Sequence, residues 1–444
     1  MSKFTFKGGI HPKDRKLKDG KSLTEDKEIQ EYVTLGEAVY PLSQHIGAPA
    51  KPVVKKGDRV LAGQLIAEAG GFVSANIHSA VSGTVKTIEK RLTPGGSMED
   101  SIVIDNDGEF REVDFAANVR PMDSLFREDV IAMIRAAGIV GMGGAGFPTD
   151  VKLSPKNEKD IDCIIVNGAE CEPYLTSDYR RMMEEPEKLV TGLKVVLSLF
   201  PGSQGIIAIE DNKPAAIKKL REMTEDEPRI RVNKMKTKYP EGAERQLIYA
   251  NTGRYVNSSM LPAHAGCIVH NVDTIISIYE AVIMGRPTIS RVVTVTGDCI
   301  ANPGNFIVRL GTSYRELVEA AGGFVKDPEK IISGGPMMGK AMYSLDVPVV
   351  KGTSSILCLS RDVVAEKAPS ACIKCGKCVS VCPGRVEPYL LADLAEVRDE
   401  EKFLKYNGME CCECGCCSYV CPARRHLTQI IAGERKLLLA KKKR

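Results

Sequence analysis

Two cysteine runs in the last quarter of the chain constrain it more than any other feature. Cys372-x2-Cys375-x2-Cys378-x3-Cys382-Pro383 is repeated, spacing for spacing, by Cys411-x2-Cys414-x2-Cys417-x3-Cys421-Pro422. Three thiolates at i, i+3 and i+6 on a tight, non-helical loop converge on one iron–sulfur cube, while the fourth, set off before a proline, reaches the other cube. On that crossing rule Cys372, Cys375, Cys378 and Cys421 hold one [4Fe–4S] cluster, and Cys411, Cys414, Cys417 and Cys382 hold the second. Zinc sites want two CxxC pairs about 15 to 20 residues apart, which these runs do not form. Cys412 and Cys416 leave two surplus thiols in the second run, so the register set by Cys421-Pro422 is an inference, and Cys412 or Cys416 in place of an assigned ligand stays open.

A chain of 444 residues has length for several domains and a real core, so it needs no disulfide staples. Hydrophobic content of 43% and charged content of 27% are those of an ordinary globular protein. A net charge of +4 is close to neutral at this length and argues against nucleic acid as a partner. The start, MSKFTFKGGIHPKDRK, lacks the apolar core of a signal peptide, and no apolar run approaches the length of a membrane span. Eight thiols in cluster motifs imply a reducing compartment, with the cytoplasm or its membrane face the expected location.

Residues 1–34 are rich in Lys, Asp and Glu and read as a polar, solvated leader. From Pro52 the pattern VxxGDxVxxGQxIA, a hairpin, and then Ser79-Ala-Val-Ser-Gly-Thr-Val85 resembles a lipoyl- or biotinyl-type barrel-sandwich domain. The hairpin Glu68–Asn76 carries no lysine to modify, so a structural role is expected. Leu125, Phe126, Val130, Met133, Ile134 and Ala137 recur at helical spacing, with Asp123 or Ser124 as the expected cap and Gly138 as the stop.

That helix leads into Gly141-Met-Gly143-Gly144-Ala-Gly146-Phe147-Pro148. The glycines match GxGxxG, yet a dinucleotide turn needs a strand before it and a helix after it, and here a helix precedes. What remains is a loop whose amides can lie flat against a phosphate or flavin ring. Asp162–Val166 reads as a strand ending in Asn167-Gly-Ala-Glu170-Cys-Glu172-Pro. Strand carboxyl edges of this kind are where open α/β sheets bind ligands. A strand at Gly205–Glu210, a helix opened by Pro214, a strand at Arg229–Met235 and a helix opened by Tyr239-Pro-Glu241-Gly242-Ala-Glu244 continue the alternation.

GMGGAGFPTDVK, VNGAECEP, YPEGAERQ and HNVDT together resemble the flavin-binding segments of the NADH-oxidising subunit of complex I. The whole layout, over about residues 35 to 430, is similar to the RnfC family of the Rnf complex, the ion-translocating ferredoxin:NAD oxidoreductase. The resemblance implies a multidomain α+β chain: a 1–34 leader, a 35–120 barrel-sandwich domain, a 121–286 α/β flavin fold and a 287–345 soluble-ligand-binding β-grasp domain. An α-helical two-[4Fe–4S] ferredoxin-like tail follows at 360–432, and a basic tail at 433–444. It implies non-covalent FMN near Gly141, Gly143, Gly144, Lys152, Asn167, Glu170, Tyr239, Gly242, Asn271 and Thr274. It puts Phe147, Glu172 and Glu244 on the side that receives NADH. Ala169, Ala243 and His270 depart from the complex I pattern, and His270 reads as a polar wall residue.

NADH exchanges electrons as a hydride pair whereas each cluster carries one, so the implied function is electron exchange between NAD(H), FMN and two [4Fe–4S] clusters. The implied partners are other Rnf subunits, integral-membrane ones included, and ferredoxin-type carriers, at the cytoplasmic face of the membrane. A stand-alone carrier feeding a soluble reductase, or a relay whose flavin fold is empty, are the alternatives. Met337 and Met338 in the GGPMMG turn read as packing residues. Cys163, Cys171, Cys267, Cys299 and Cys358 lack metal spacing, with Cys171 noteworthy between Glu170 and Glu172. Leu427–Leu439 is expected as a helix before the Lys441–Arg444 basic end.

Overall fold

Four β-sheets and a helical C-terminal domain form the computed structural model, which describes residues 4–12 and 19–442. Ala38–Pro41, Met98–Asn106, Gly83–Leu92 and Arg59–Val60 make an antiparallel sheet, and Lys51–Pro52, Leu65–Glu68 and Ile77–His78 make a second. Tyr40, Ile66, Ile77, Ile102 and Ile104 are fully buried here as the sandwich filling. The same core continues into a mixed six-stranded sheet through Val293, Phe306, Tyr314 and Ile356. Barrel sandwich and β-grasp therefore share one apolar interior.

The flavin-type fold is a four-stranded parallel sheet in the order Ile230–Met235, Gln204–Glu210, Cys163–Gly168, Cys267–Asn271. Covered by helices, its two central strands are buried on both faces, which is why Ile164, Ile165 and Val166 run consecutively. The chain leaves Cys163–Gly168 toward one side and later returns to pair on the other, with Asn167 opposite Asn271. That reversal makes the carboxyl end of these two strands the natural crevice. The glycine loop lies there. Its flanks meet in an isolated Val140–Pro148 bridge, and the helix Arg127–Ala136, not a strand, precedes it, so the rejection of a Rossmann turn agrees with the geometry.

Two expectations are corrected. The helix before the glycine loop begins at Arg127, not at Asp123 or Ser124, because Asp129 accepts the Phe126 amide at 3.1 Å and closes its first turn. Asp123 and Ser124 sit in a separate 3-10 turn, and Gly138 ends the helix with φ of 66°. The leader is not merely solvated. Ile29–Tyr32 pairs in parallel with Gly304–Arg309 at the edge of the six-stranded sheet, Phe6 and Ile10 are buried, and Lys21 is buried beneath the flavin fold. Polar composition hid this because only a few positions face inward. The part of the leader at 13–18, and Lys443 and Arg444 of the basic tail, lie outside the described residues.

Lys351 pins three domains at one point. Its ammonium donates to the carbonyls of Asn76 in the sandwich hairpin and Gly138 beside the glycine loop, and its amide donates to Gln44. Burial alone lowers its pKa from 10.5 to about 7. A lysine with a lowered folded-state pKa binds fewer protons folded than unfolded between those values, so its contribution to stability rises with pH across that window. Denaturation of Lys351→Met should lack this component, flattening the rise between pH 7 and 10 by about 1 kcal/mol per pH unit. An unchanged slope would place the titration elsewhere.

The tail carries short helices after each cysteine loop, Lys377–Ser380 and Cys416–Tyr419, then packs Pro388–Glu396 against Leu427–Lys442 through Leu391, Leu394, Leu427 and Ile431. No helix among the described residues is long and apolar enough to cross a membrane.

Candidate functional site

At the flavin crevice, the glycine loop is closed by Gly141 N donating to Phe147 O at 2.9 Å and is held down by Met142 N donating to Thr274 Oγ1 at 3.0 Å. Asn271 lies under it. Its carbonyl oxygen caps the helix Val272–Met284 through Asp273 N, and its amide donates to Asp178 at 2.7 Å. A Cβ on Gly143 would stand 2.8 to 3.0 Å from three Asn271 side-chain atoms, whereas one on Gly144 would meet nothing within 4 Å. Gly143 is thus required by the fold, and Gly144 leaves an open approach for a ligand. Asn167 donates to Gly242 O at 2.8 Å, and Lys152 pairs with Glu244 at 2.9 Å across the mouth. The structure therefore brings together Gly141, Gly143, Asn271 and Thr274 on one wall and Asn167 and Gly242 on the other, with Phe147 half-buried at the loop's end.

The residues fit a flavin. The Glu170 carboxylate, nearly buried, accepts the Asp178 amide with one oxygen and sets the other, without a hydrogen bond, 3.9 Å from the Lys21 ammonium, and buried His270 leaves Nε2 unpartnered. Burial holds His270 well below the ordinary imidazole pKa, which keeps it neutral and favours the wall reading. Phe147 and Lys152 are half-buried and Glu244 is exposed.

Two expected site residues point elsewhere. Glu172, expected on the NADH side, gives both carboxylate oxygens to the GGPMMG turn, accepting Met337 N at 3.1 Å and Met338 N at 2.8 Å. Burial pushes its carboxyl up to about 7, against the pull of those two amides. Tyr239, expected beside FMN, is buried and donates its hydroxyl to Cys414 O at 2.7 Å. Tyr239 faces the second cysteine run, and Glu172 holds the β-grasp turn whose Met337 packs against that run. Glu172→Gln replaces one acceptor by a donor that faces an amide, so amide exchange at residues 337 and 338 should speed up by an amount worth about 1–3 kcal/mol. Unchanged protection would show that the carboxylate does not hold the turn.

Composition and motif gave no sign of three further groups. Lys21 donates to the carbonyls of Glu170, Glu172 and Leu175, and Lys213 donates to Ala169 O at 2.7 Å. These two buried ammoniums fix the backbone of the strand-end loop, in which Glu170 and Tyr174 take positive φ. Glu210, near Lys213 and pushed up to about 7 by burial, completes the set. The only local cue is Pro214 at a helix start, which places Lys213 at the strand edge.

In the tail, a cavity of about 460 Å³ is lined by Cys372, Cys375, Cys378 and Cys421 together with Gly376, Tyr389, Pro422 and Arg425. The donor set and its enclosure fit a [4Fe–4S] cluster. The second run repeats the loop. Lys374 and Glu413 have φ of 55° and 56°, Gly376 and Gly415 are both left-handed, and the amides of Lys374 and Glu413 donate at 3.4 Å to the thiols two residues back, Cys372 and Cys411. Cys382, Cys411 and Cys417 meet in the tail's core, while Cys414 packs with Cys412, Cys416, Tyr239, Met337 and Cys171 at the boundary with the flavin fold. The runs differ in setting: Cys414, Cys416 and Cys417 are buried, whereas Cys375 is exposed. Gly9 N to Val381 O at 2.8 Å, Arg245 to Glu410 at 3.0 Å and Gln246 to Pro383 O at 3.5 Å secure the second run's side of the tail.

Comparison with known proteins agrees with this division. Residues 4–109 match the RnfC barrel sandwich hybrid domain, 134–280 the Nuo51 FMN-binding domain, 292–341 the SLBB domain and 365–422 the 4Fe-4S dicluster domain. The first of these includes the N-terminal segment that composition alone had set aside as a leader. The RnfC-type subunit of the proton-translocating ferredoxin:NAD(+) oxidoreductase complex of Clostridium ljungdahlii is 45% identical over 96% of this chain and 92% of its own length. The corresponding subunit of the Na(+)-translocating ferredoxin:NAD(+) oxidoreductase complex of Acetobacterium woodii is 44% identical over 99% and 98%. That of the ion-translocating oxidoreductase complex of Rhodobacter capsulatus is 40% identical over 88% and 75%. With relatives this similar along nearly its full length, and a crevice and thiol sets to match, the chain belongs to the RnfC family of subunits of the ion-translocating ferredoxin:NAD(+) oxidoreductase, or Rnf, complexes.

Proposed function

We propose that this chain exchanges electrons between NAD(H) at the flavin crevice and a partner at the far end of its tail, within a membrane-associated ion-translocating complex. Bound FMN supplies the exchange between a hydride pair and single electrons. Gly144 leaves its approach open, Gly141 and Gly143 with Asn271 form one wall and Asn167 the other, and Lys152 and Glu244 stand at the mouth. Phe147 and Glu244 face the side on which NADH is received. Cys411, Cys414, Cys417 and Cys382 hold the proximal cluster, and Cys372, Cys375, Cys378 and Cys421 the distal one.

The observation that carries this reading is the contact between Tyr239 and the carbonyl of Cys414, which joins the flavin fold directly to the second cysteine run. Its partners are the other subunits of the complex, integral-membrane ones included, and ferredoxin-type carriers. The absence of a spanning helix among the described residues fits a peripheral place, which we assign to the cytoplasmic face. The test is cofactor content of the anaerobically purified chain: about one FMN and about eight iron atoms per chain are expected. Iron with no flavin would leave only a relay.

A further inference from the structure

The two cysteine loops match in backbone but not in charge. Just before its second cysteine the first run carries exposed Lys374, and the second run carries half-buried Glu413, both at positive φ. Three residues further, Lys377 of the first run is matched by Cys416. The distal loop therefore brings two cations of its own, whereas the proximal loop brings one acid and no cation. The proximal loop is also drier, since Cys414, Cys416 and Cys417 are buried while Cys375 is exposed.

Its cation comes from another element. Arg435, on the helix Leu427–Lys442, forms an ion pair with Glu413, and its side chain is only 15% exposed. The Nε of Arg435 is buried and has no hydrogen-bond partner. Neighbouring Glu434 is engaged by Arg398 at 2.6 Å. Burial raises the pKa of the Cys411 thiol, and the Glu413 amide and the Arg435 guanidinium draw it the other way, so the guanidinium favours negative charge at this ligand. The arginine that lines the distal cavity, Arg425, is instead held by Asp393 and Glu396 at 2.7 and 3.1 Å.

Reduction adds a negative charge to a cube already ringed by thiolates, and in a dry site that charge is costly unless a cation or an N–H stands by. We propose that Arg435 is a positioning residue of the proximal cluster, which holds the Cys411–Cys414 loop through Glu413 and raises the potential at which that cluster accepts an electron. Its charge and its unpartnered Nε–H act on the Cys411 side, and Glu413 offsets part of the effect. The inference rests on the assignment of Cys411, Cys414, Cys417 and Cys382 to one cluster.

The test poises the full chain, with both clusters loaded, at a series of potentials under anaerobic conditions and follows each cluster by electron paramagnetic resonance. Arg435→Gln should lower the reduced-to-oxidised ratio of the proximal cluster at least tenfold at a fixed potential, about 59 mV for one electron, with the distal signal unmoved. Arg435→Lys keeps the charge and should recover most of that shift. Glu413→Gln leaves the guanidinium uncompensated and should move the potential the other way. A proximal potential unchanged in both Arg435→Gln and Glu413→Gln overturns the proposal. So does an Arg435→Lys chain that shifts as far as Arg435→Gln, because the side chain then acts through packing alone. If Arg435→Gln sheds the proximal iron, Glu413→Gln decides, and an unmoved potential there overturns the proposal. An unaltered chain holding only about four iron atoms would instead sink the cluster assignment, a separate failure.

Discussion

Replacing Cys421 with alanine is expected to remove the cluster held mainly by the other cysteine run, lowering iron from about eight to about four atoms per chain. Cys421 follows the second run in sequence, yet it lines the cavity of Cys372, Cys375 and Cys378. Cys414→Ala should cost the same iron, but from the opposite site. Iron analysis alone therefore does not separate them, whereas reduction by NADH does. With Cys421→Ala the proximal cluster next to Tyr239 survives and is still reduced by NADH, while transfer to an external carrier fails. With Cys414→Ala the distal cluster survives but has lost its connection to the flavin, so NADH reduces it slowly or not at all while dithionite reduces it fully. Electron paramagnetic resonance of each variant would show one signal, and a different one. If the two variants behaved alike, or if Cys414→Ala kept both clusters by recruiting Cys412 or Cys416, the order of clusters drawn here would fail.

The second large effect concerns Gly143. Asn271 is committed on both sides of its amide group, to the cap of Val272–Met284 and to Asp178. It has little freedom to retreat from a new methyl, which would lie 2.8 to 3.0 Å away. Overpacking of this kind typically costs about 1–3 kcal/mol, and here the loop lifts in preference to the helix cap. Gly143→Ala should therefore lower FMN retention at least tenfold while about eight iron atoms remain. Gly144→Ala has no protein neighbour to strike, so flavin loss in that variant reports contact with the ligand alone. Stoichiometric FMN in both variants would remove the glycine loop from the flavin site.

What could be read from the residues was whatever is encoded locally. Thiolate spacing fixes which side chains converge, so the cavity of Cys372, Cys375, Cys378 and Cys421 follows from the motif and its proline. Apolar runs such as Ile164–Val166 mark buried parallel strands, and the polar residues after them lie at the sheet's carboxyl edge, where Asn167 sits opposite Asn271 and bonds Gly242. Contacts made between distant segments were not legible. Lys21 reaches the carbonyls of Glu170 and Glu172 from a segment whose composition suggests solvent, and Ile29–Tyr32 pairs with a strand far along the chain. The Glu172 carboxylate could be placed at a strand edge but not oriented, because its partners are backbone amides of the β-grasp turn, which carry no side-chain signature. For Tyr239 the resemblance implied a place near FMN, and only the packed tail shows that its hydroxyl reaches the second cysteine run.

The most direct measurement of the central claim is anaerobic addition of NADH to the purified chain, with flavin and cluster absorbance followed together on a stopped-flow instrument. The expected result is loss of flavin absorbance first, followed by bleaching of both clusters. Clusters that bleach with dithionite but never with NADH, or that bleach in protein carrying no flavin, would contradict an electron path that runs from the crevice through Tyr239's side of the tail to Cys375.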